Sequence, residues 1–122
     1  MPQTFGPYSP IRQAGDLFFV SGQIGVEPGS KRAYEDIAAQ TSQVLDNLEA
    51  ALQTKNLTLD EVIKTTIYVT DMADFAAVND VYMQRFSDPR PARSTVGVAE
   101  LPRVANVPLL VEIEAVACRG PR

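Results

Sequence analysis

At 122 residues, 45% of them apolar, the chain has the length of one ordinary domain and enough apolar surface to bury a core without staples. Its formal charge is −4, with 15 acidic against 11 basic residues, and the basic ones are scattered, which argues against an extended phosphate-tracking surface. With no histidine and one cysteine, Cys118, the chain has no Ser-His or Cys-His nucleophile pair, no two-histidine ribonuclease chemistry and no internal disulfide, and the donors for a structural zinc site are lacking.

In chain order, "IRQAGDLFFVSGQIGV" predicts two extended segments around the turn formers Gly15 and Asp16. The second holds the unbroken apolar run Leu17, Phe18, Phe19 and Val20, the pattern of a strand covered on both faces. "PGSKR" marks an exposed turn. From Tyr34 to about Gln53, Ile37, Val44, Leu45, Leu48 and Leu52 recur at helical spacing with Thr41 on the same stripe, while Asp46, Asn47 and Glu49 fall mostly opposite. The β-branched "VIKTTIYVT" predicts a strand over 62–70, and "DMADFAAVNDVYMQRF" a helix carrying Phe75, Val78, Tyr82 and Phe86, capped by Asp71 or Asp74. The prolines of "SDPRP" end that helix. "ARSTVGV" and "LLVEIEAVAC" are two further strands, joined by a loop containing Pro102, Asn106 and Pro108.

The element order is therefore β-β-α-β-α-β-β. Two helices cover one face of such a sheet, yet "LFFV", "VIKTTIYV" and "LLVEIEAV" carry enough apolar surface for both, so a second copy of the chain is expected on the other face. No apolar stretch approaches the roughly 20 residues that span a bilayer, and residues 1–20 lack a basic-then-apolar leader pattern, so the expected compartment is the cytoplasm.

Without histidine, proton transfer falls to carboxylate, tyrosine, lysine, cysteine, backbone or water. In "VEIEAVAC" the period-two rule sets Glu112, Glu114, Val116 and Cys118 on one face and Val111, Ile113, Ala115 and Ala117 on the other. Two carboxylates on a strand with apolar neighbours are either a solvated face or a desolvated acid-base pair. Arg93 lies on the preceding strand, and the short connection suggests that the two strands are neighbours, which leaves Arg93 as half of an ion pair or as an anion receptor. "FGPYSP" stiffens the chain around Tyr8 and Ser9, Ser21 and Gly22 end an apolar strand as a bulge or a point of close ligand approach, and Asn79 is a half-buried amide or a donor to a pocket. Cys118 has no visible activating base and is read as a small strand residue, and Arg90 as a solvated turn residue.

In this order, "GPYSP", "LFFVSGQIGV", "AAQTSQVLDNLEAAL", "VIKTTIYVTDMADFAAVNDVY", "PARSTVGVAELP" and "LVEIEAVA" resemble the reactive intermediate deaminase A family, RidA or YjgF, across essentially the whole chain. The resemblance implies an α+β, chorismate-mutase-like single domain over 1–122, with a mixed sheet, two helices on one face, and assembly as a homotrimer with ligand sites between subunits. It implies a cofactor-free, metal-free hydrolase of the 2-iminobutanoate/2-iminopropanoate deaminase type, converting 2-enamino and 2-imino acids such as 2-aminoacrylate to 2-oxo acids and ammonia. By that resemblance Arg93 binds the substrate carboxylate, Glu112 positions or activates the attacking water, and Tyr8, Ser21, Gly22, Asn79 and Thr95 contact ligand or water. Non-catalytic binding of small carboxylates in the same cleft is the alternative. Endoribonuclease or translation-inhibitor activity, described for some members, is disfavoured here by the acidic balance and the missing histidines. Many relatives run almost directly from "ARLP" into the last strand, whereas "ELPRVANVPLL" forms a longer loop before Glu112, so the rim of the site is expected to differ.

Overall fold

The computed structural model describes residues 4–120; the outermost residues of the expected 1–122 domain, 1–3 and 121–122, lie outside the described residues. The hairpin of β1 (Ile11–Ala14) and β2 (Leu17–Ile24) turns at Gly15, whose φ of 60° is open to glycine at no steric cost. Helix α1 spans Ile37–Gln53, β3 Val62–Val69, α2 Phe75–Arg85, β4 Ala92–Gly97 and β5 Val111–Cys118. The predicted order is thus the observed one. The first helix starts three residues later than its periodicity suggests, because Asp36 caps it by accepting a 2.9 Å hydrogen bond from the Ala39 N–H. Of the two candidate caps for α2, Asp71 caps a preceding 3-10 turn through the Ala73 N–H, and Asp74 occupies the cap position of α2 without a side-chain bond.

The five strands form one mixed sheet in the order β1-β2-β5-β3-β4. All pairings are antiparallel except β3 with β4, which run parallel because α2 carries the chain back between them. This corrects the expected adjacency of the last two strands. Residues 98–110 carry the chain past β3, so that β5 pairs with β3 and β2 while β4 is left on the edge. The cause is burial: β5 alternates buried and half-buried residues along its whole length and needs a partner on each side, whereas β4 has no fully buried residue.

Both helices lie on one face. Val44, Leu45, Leu48 and Leu52 of α1, with Val78 and Tyr82 of α2, pack on Phe18, Val20, Ile67, Val69, Val111 and Ile113. Asn47, expected opposite the apolar stripe, donates to the Ile24 and Val26 carbonyls at 2.8 and 2.9 Å and so ties α1 to the end of β2. On the other face the "LFFV" strand is bare within one chain, with Leu17 36% and Phe19 47% exposed. The loop before β5 is anchored by Gln40, whose side chain is wholly buried. Its amide nitrogen donates to the Tyr34 and Pro108 carbonyls at 2.7 and 3.0 Å, and its oxygen accepts from the Leu110 N–H at 2.8 Å.

A buried group left without its partner costs about 1–3 kcal/mol. Gln40→Met keeps the volume and strands three backbone groups, so it is expected to lower the unfolding free energy by about 2–4 kcal/mol. Urea denaturation checks this against Gln43→Met, on the same helix, which should cost less than about 1 kcal/mol.

Candidate active site

The alternation along β5 places Glu112 and Glu114 on the open face, away from Val111 and Ile113 beneath the helices. Glu112 is the ladder partner of Tyr68 on β3 and of Ile24 on β2. Between Val20 and Gln23 the β2 ladder slips, and Gly22 sits at this bulge against the Glu112 side chain. The bulge reading of Gly22 holds, and what its backbone approaches closely is the Glu112 side chain. A Cβ there would collide with Oε2 of Glu112 and come within 2.8 Å of Cδ, so only glycine leaves the carboxylate in this position. Next to it Ser21 fixes the rigid amino-terminal segment, its N–H donating to the Pro10 carbonyl at 3.0 Å and its hydroxyl to the Ser9 carbonyl at 2.6 Å. Tyr8, on that segment, is 46% exposed and accepts from the Phe5 N–H through its hydroxyl. Ser21, Gly22 and Glu112 thus lie together at the bulge, with Tyr8 one residue ahead of the Ser9 that Ser21 holds.

Burial pushes the Glu112 carboxyl above its ordinary value of 4.5, and the Glu114 charge pushes it in the same direction. Glu114 is engaged by Tyr68, whose hydroxyl donates to its Oε1. That hydrogen bond is the main cause of the raised Tyr68 pKa, ahead of burial. Tyr68 was not singled out from the sequence. Its signal was present in the same period-two alternation, which puts Lys64, Thr66 and Tyr68 on the face opposite Thr65, Ile67 and Val69.

Arg93 lies elsewhere. It is the β4 partner of Thr65, on the helix-covered side, and its guanidinium carbon sits 4.9 Å from the ring centre of Tyr82 and 5.6 Å from that of Phe75. Among the described residues no carboxylate pairs with it, which removes the ion-pair reading and leaves a cation backed by aromatic faces. Tyr82 is oriented by a 2.7 Å hydrogen bond with Thr65. Burial raises the Tyr82 pKa, while the Thr65 bond and the Arg93 charge oppose that rise. Arg93 shares a cleft of about 360 Å³ with Asn79, Tyr82, Met83, Arg90 and Pro91. Two buried polar atoms on this side, Oδ1 of Asn79 and Oγ1 of Thr95, have no hydrogen-bond partner among the described residues. Each has unused hydrogen-bonding capacity on this side of the sheet. Arg90 is exposed, as expected, and it also ties down the end of α2, donating to the Phe86 and Met83 carbonyls and pairing with Asp88 at 3.3 Å.

The seven predicted site residues therefore fall into two groups on opposite faces of the sheet: Arg93, Asn79 and Thr95 under the helix side, and Tyr8, Ser21, Gly22 and Glu112 on the open side. Within one chain the structure does not bring Arg93 and Glu112 together. The first group offers a cation and unfilled polar atoms for an anion, the second a desolvated carboxylate for proton transfer. Among the described residues no cluster of three or more metal-ligating side chains converges.

A family model described as Endoribonuclease L-PSP matches residues 1–119. A RutC family protein of Pyrococcus horikoshii is 43% identical over 117 residues, covering 95% of this chain and 90% of its own. The 2-iminobutanoate/2-iminopropanoate deaminase of Escherichia coli is 40% identical over 121 residues, covering 97% and 91%. Among solved structures, RidA from an Antarctic Psychrobacter superposes with a TM-score of 0.89 at 35% identity, over 96% of this chain and 92% of that one.

Because the folded pKa of Glu112 is raised, its protonated form favours the folded state; that contribution is complete below the unfolded value and is lost as pH rises through the folded one. Glu112→Gln is therefore expected to remove a loss of stability seen in wild type between acid and neutral pH, read by denaturation across that range. In a carboxyl-resolved NMR titration Glu112 should titrate above 4.5, and Glu114→Gln should move it down.

Proposed function

The chain belongs to the YjgF/RidA/RutC family, and from that premise we propose that it hydrolyses 2-imino and 2-enamino acids at sites formed between copies of itself. The observation that carries this reading is the division of the site. An unpaired arginine beside unfilled polar atoms lies on one face and a desolvated glutamate on the other, and both become useful to one substrate where the Arg93 side of one copy meets the open face of the next. The exposed Leu17, Phe19 and Val96 of the open face supply the apolar contact for such an assembly, which we take to be the homotrimer.

Arg93 binds the substrate carboxylate with its planar fork, backed by the Tyr82 and Phe75 rings. Asn79 and Thr95 complete the anion's hydrogen bonds with the atoms left unpartnered in the single chain. Glu112 of the partner subunit takes a proton from water as its oxygen forms a bond to the imine carbon. The carbon–nitrogen π pair moves onto nitrogen, which takes that proton back from the partner's Glu112 to give the tetrahedral carbinolamine; the partner's Glu112 then carries the hydroxyl proton to the same nitrogen as the carbon–nitrogen bond breaks and the carbonyl forms, and the products are a 2-oxo acid and ammonia. The upward shift suits both halves of this exchange, because desolvation makes the carboxylate a better proton acceptor than a solvated one. Imines of this class already hydrolyse in water, so orientation and a base suffice, and the base alone is worth about 10²–10⁴-fold. The endoribonuclease reading carried by the family model's description fits less well with a net charge of −4 and no histidine.

A coupled assay generating 2-aminoacrylate is expected to show pyruvate and ammonia release faster than the spontaneous rate, with Arg93→Ala and Glu112→Gln each losing at least about 10²-fold. Rates unchanged by Arg93→Ala would refute the carboxylate assignment. Co-expressing the two inactive variants should restore about a quarter of the wild-type rate, since half the arginines meet half the glutamates at random. No recovery in mixed assemblies would refute the divided site.

A further inference from the structure

A cleft of about 470 Å³ opens at the end of the sheet beside Glu112, walled by the loop between β4 and β5. Its position follows from the β3–β5 ladder. Tyr68 pairs with Glu112 and Val69 with Val111, and the Thr70 N–H donates to the Leu110 carbonyl at 3.1 Å as the next rung. Thr70 and Leu110 both line the cleft. Two residues along a strand return to the same face, so this rung lies about 6.6 Å beyond Glu112 on the open side. The cleft therefore begins one side chain away from the carboxylate.

Its lining is largely carbon: Ala99, Leu101, Val107, Leu109 and Leu110 contribute to it. The polar groups nearby are engaged with each other. The Asn106 side-chain oxygen accepts from the Ala33 N–H at 2.8 Å, the Pro108 carbonyl and Leu110 N–H are taken by Gln40, and Arg103 pairs with Glu100 at 2.7 Å on the exposed rim. The walls are also held in place. Leu101, Val104 and Ala105 pack with Phe5 and Ala33 against buried Ile24, Val26 and Leu109. The cleft's volume falls within the range of about 300–1,000 Å³ over which small-molecule sites occur.

We propose that this cleft is the side-chain subsite of the active centre, and that it takes unbranched aliphatic chains of about four carbons in preference to the methyl and ethyl groups of the smallest imino acids. The inference rests on the deaminase reading for the identity of the acid and on the cleft alone for the preference among side chains. Each methylene buried there is worth about fourfold in affinity or in kcat/KM.

The test uses the full chain. Imino acids generated in situ by an amino-acid oxidase from alanine and from norleucine give kcat/KM for the two chain lengths, and calorimetry with pyruvate and 2-oxohexanoate gives binding of the matching 2-oxo acids without turnover. Wild type should favour the six-carbon member by at least about tenfold in each measurement. Ala99→Leu and Val107→Phe, which fill the cleft from separate positions, should each abolish that preference and leave the three-carbon compounds within about twofold of wild type. Equal handling of both lengths by wild type, or a preference surviving both variants, would overturn the subsite. Absence of turnover with a retained six-carbon binding preference would uphold the subsite and refute the deaminase reading.

Discussion

The β3–β5 ladder sets Ile67 and Val69 beside Ile113 and Val111 on one face, beneath two helices, and that burial fixes the register of the whole sheet. A slip of one residue would turn the apolar set outward and send Glu112 and Glu114 into the core. The glutamates are held outward because their neighbours are held inward. Similarly, β4 joins the free edge of β3 in parallel, and its register with Thr65 carries Arg93 beneath α2 beside Tyr82 and Phe75. The positions of a cation and of a carboxylate on opposite faces thus follow from where the apolar residues must go.

Each charged group is held by means that leave its chemistry intact. A carboxylate partner would have fixed Arg93 but quenched it; two aromatic rings hold the guanidinium and leave its N–H groups free to donate. Glu112 is confined by the backbone at Gly22 and by burial, with the nearest named charge a like one, Glu114. Tyr68 attaches to Glu114 and not to Glu112, so the hydroxyl orders the neighbour and leaves the Glu112 carboxyl unengaged by it.

Much of this was legible from residue spacing. Period two along β5 told which side Glu112 faces, helical spacing located both helices, and the run of motifs in order identified the family. The pairing of β5 with β3 was not legible, because a loop over 98–110 is compatible with a neighbouring strand or one beyond it, and only the demand of β5 for two covered edges decides. The aromatic backing of Arg93 depends on that same topology. Gln40 was missed for a different reason: a polar residue on a helix spaced among apolar ones carries no mark of the backbone groups it will meet 68 and 70 residues away.

Gln40 also separates what is free to vary from what is not. It grips Pro108 and Leu110, the final stretch before β5, from a helix belonging to another part of the chain. The residues ahead of that grip lie outside the β3–β5 ladder, whose register with Glu112 begins only after it. The shape of the rim and the register of Glu112 are thereby set by separate contacts.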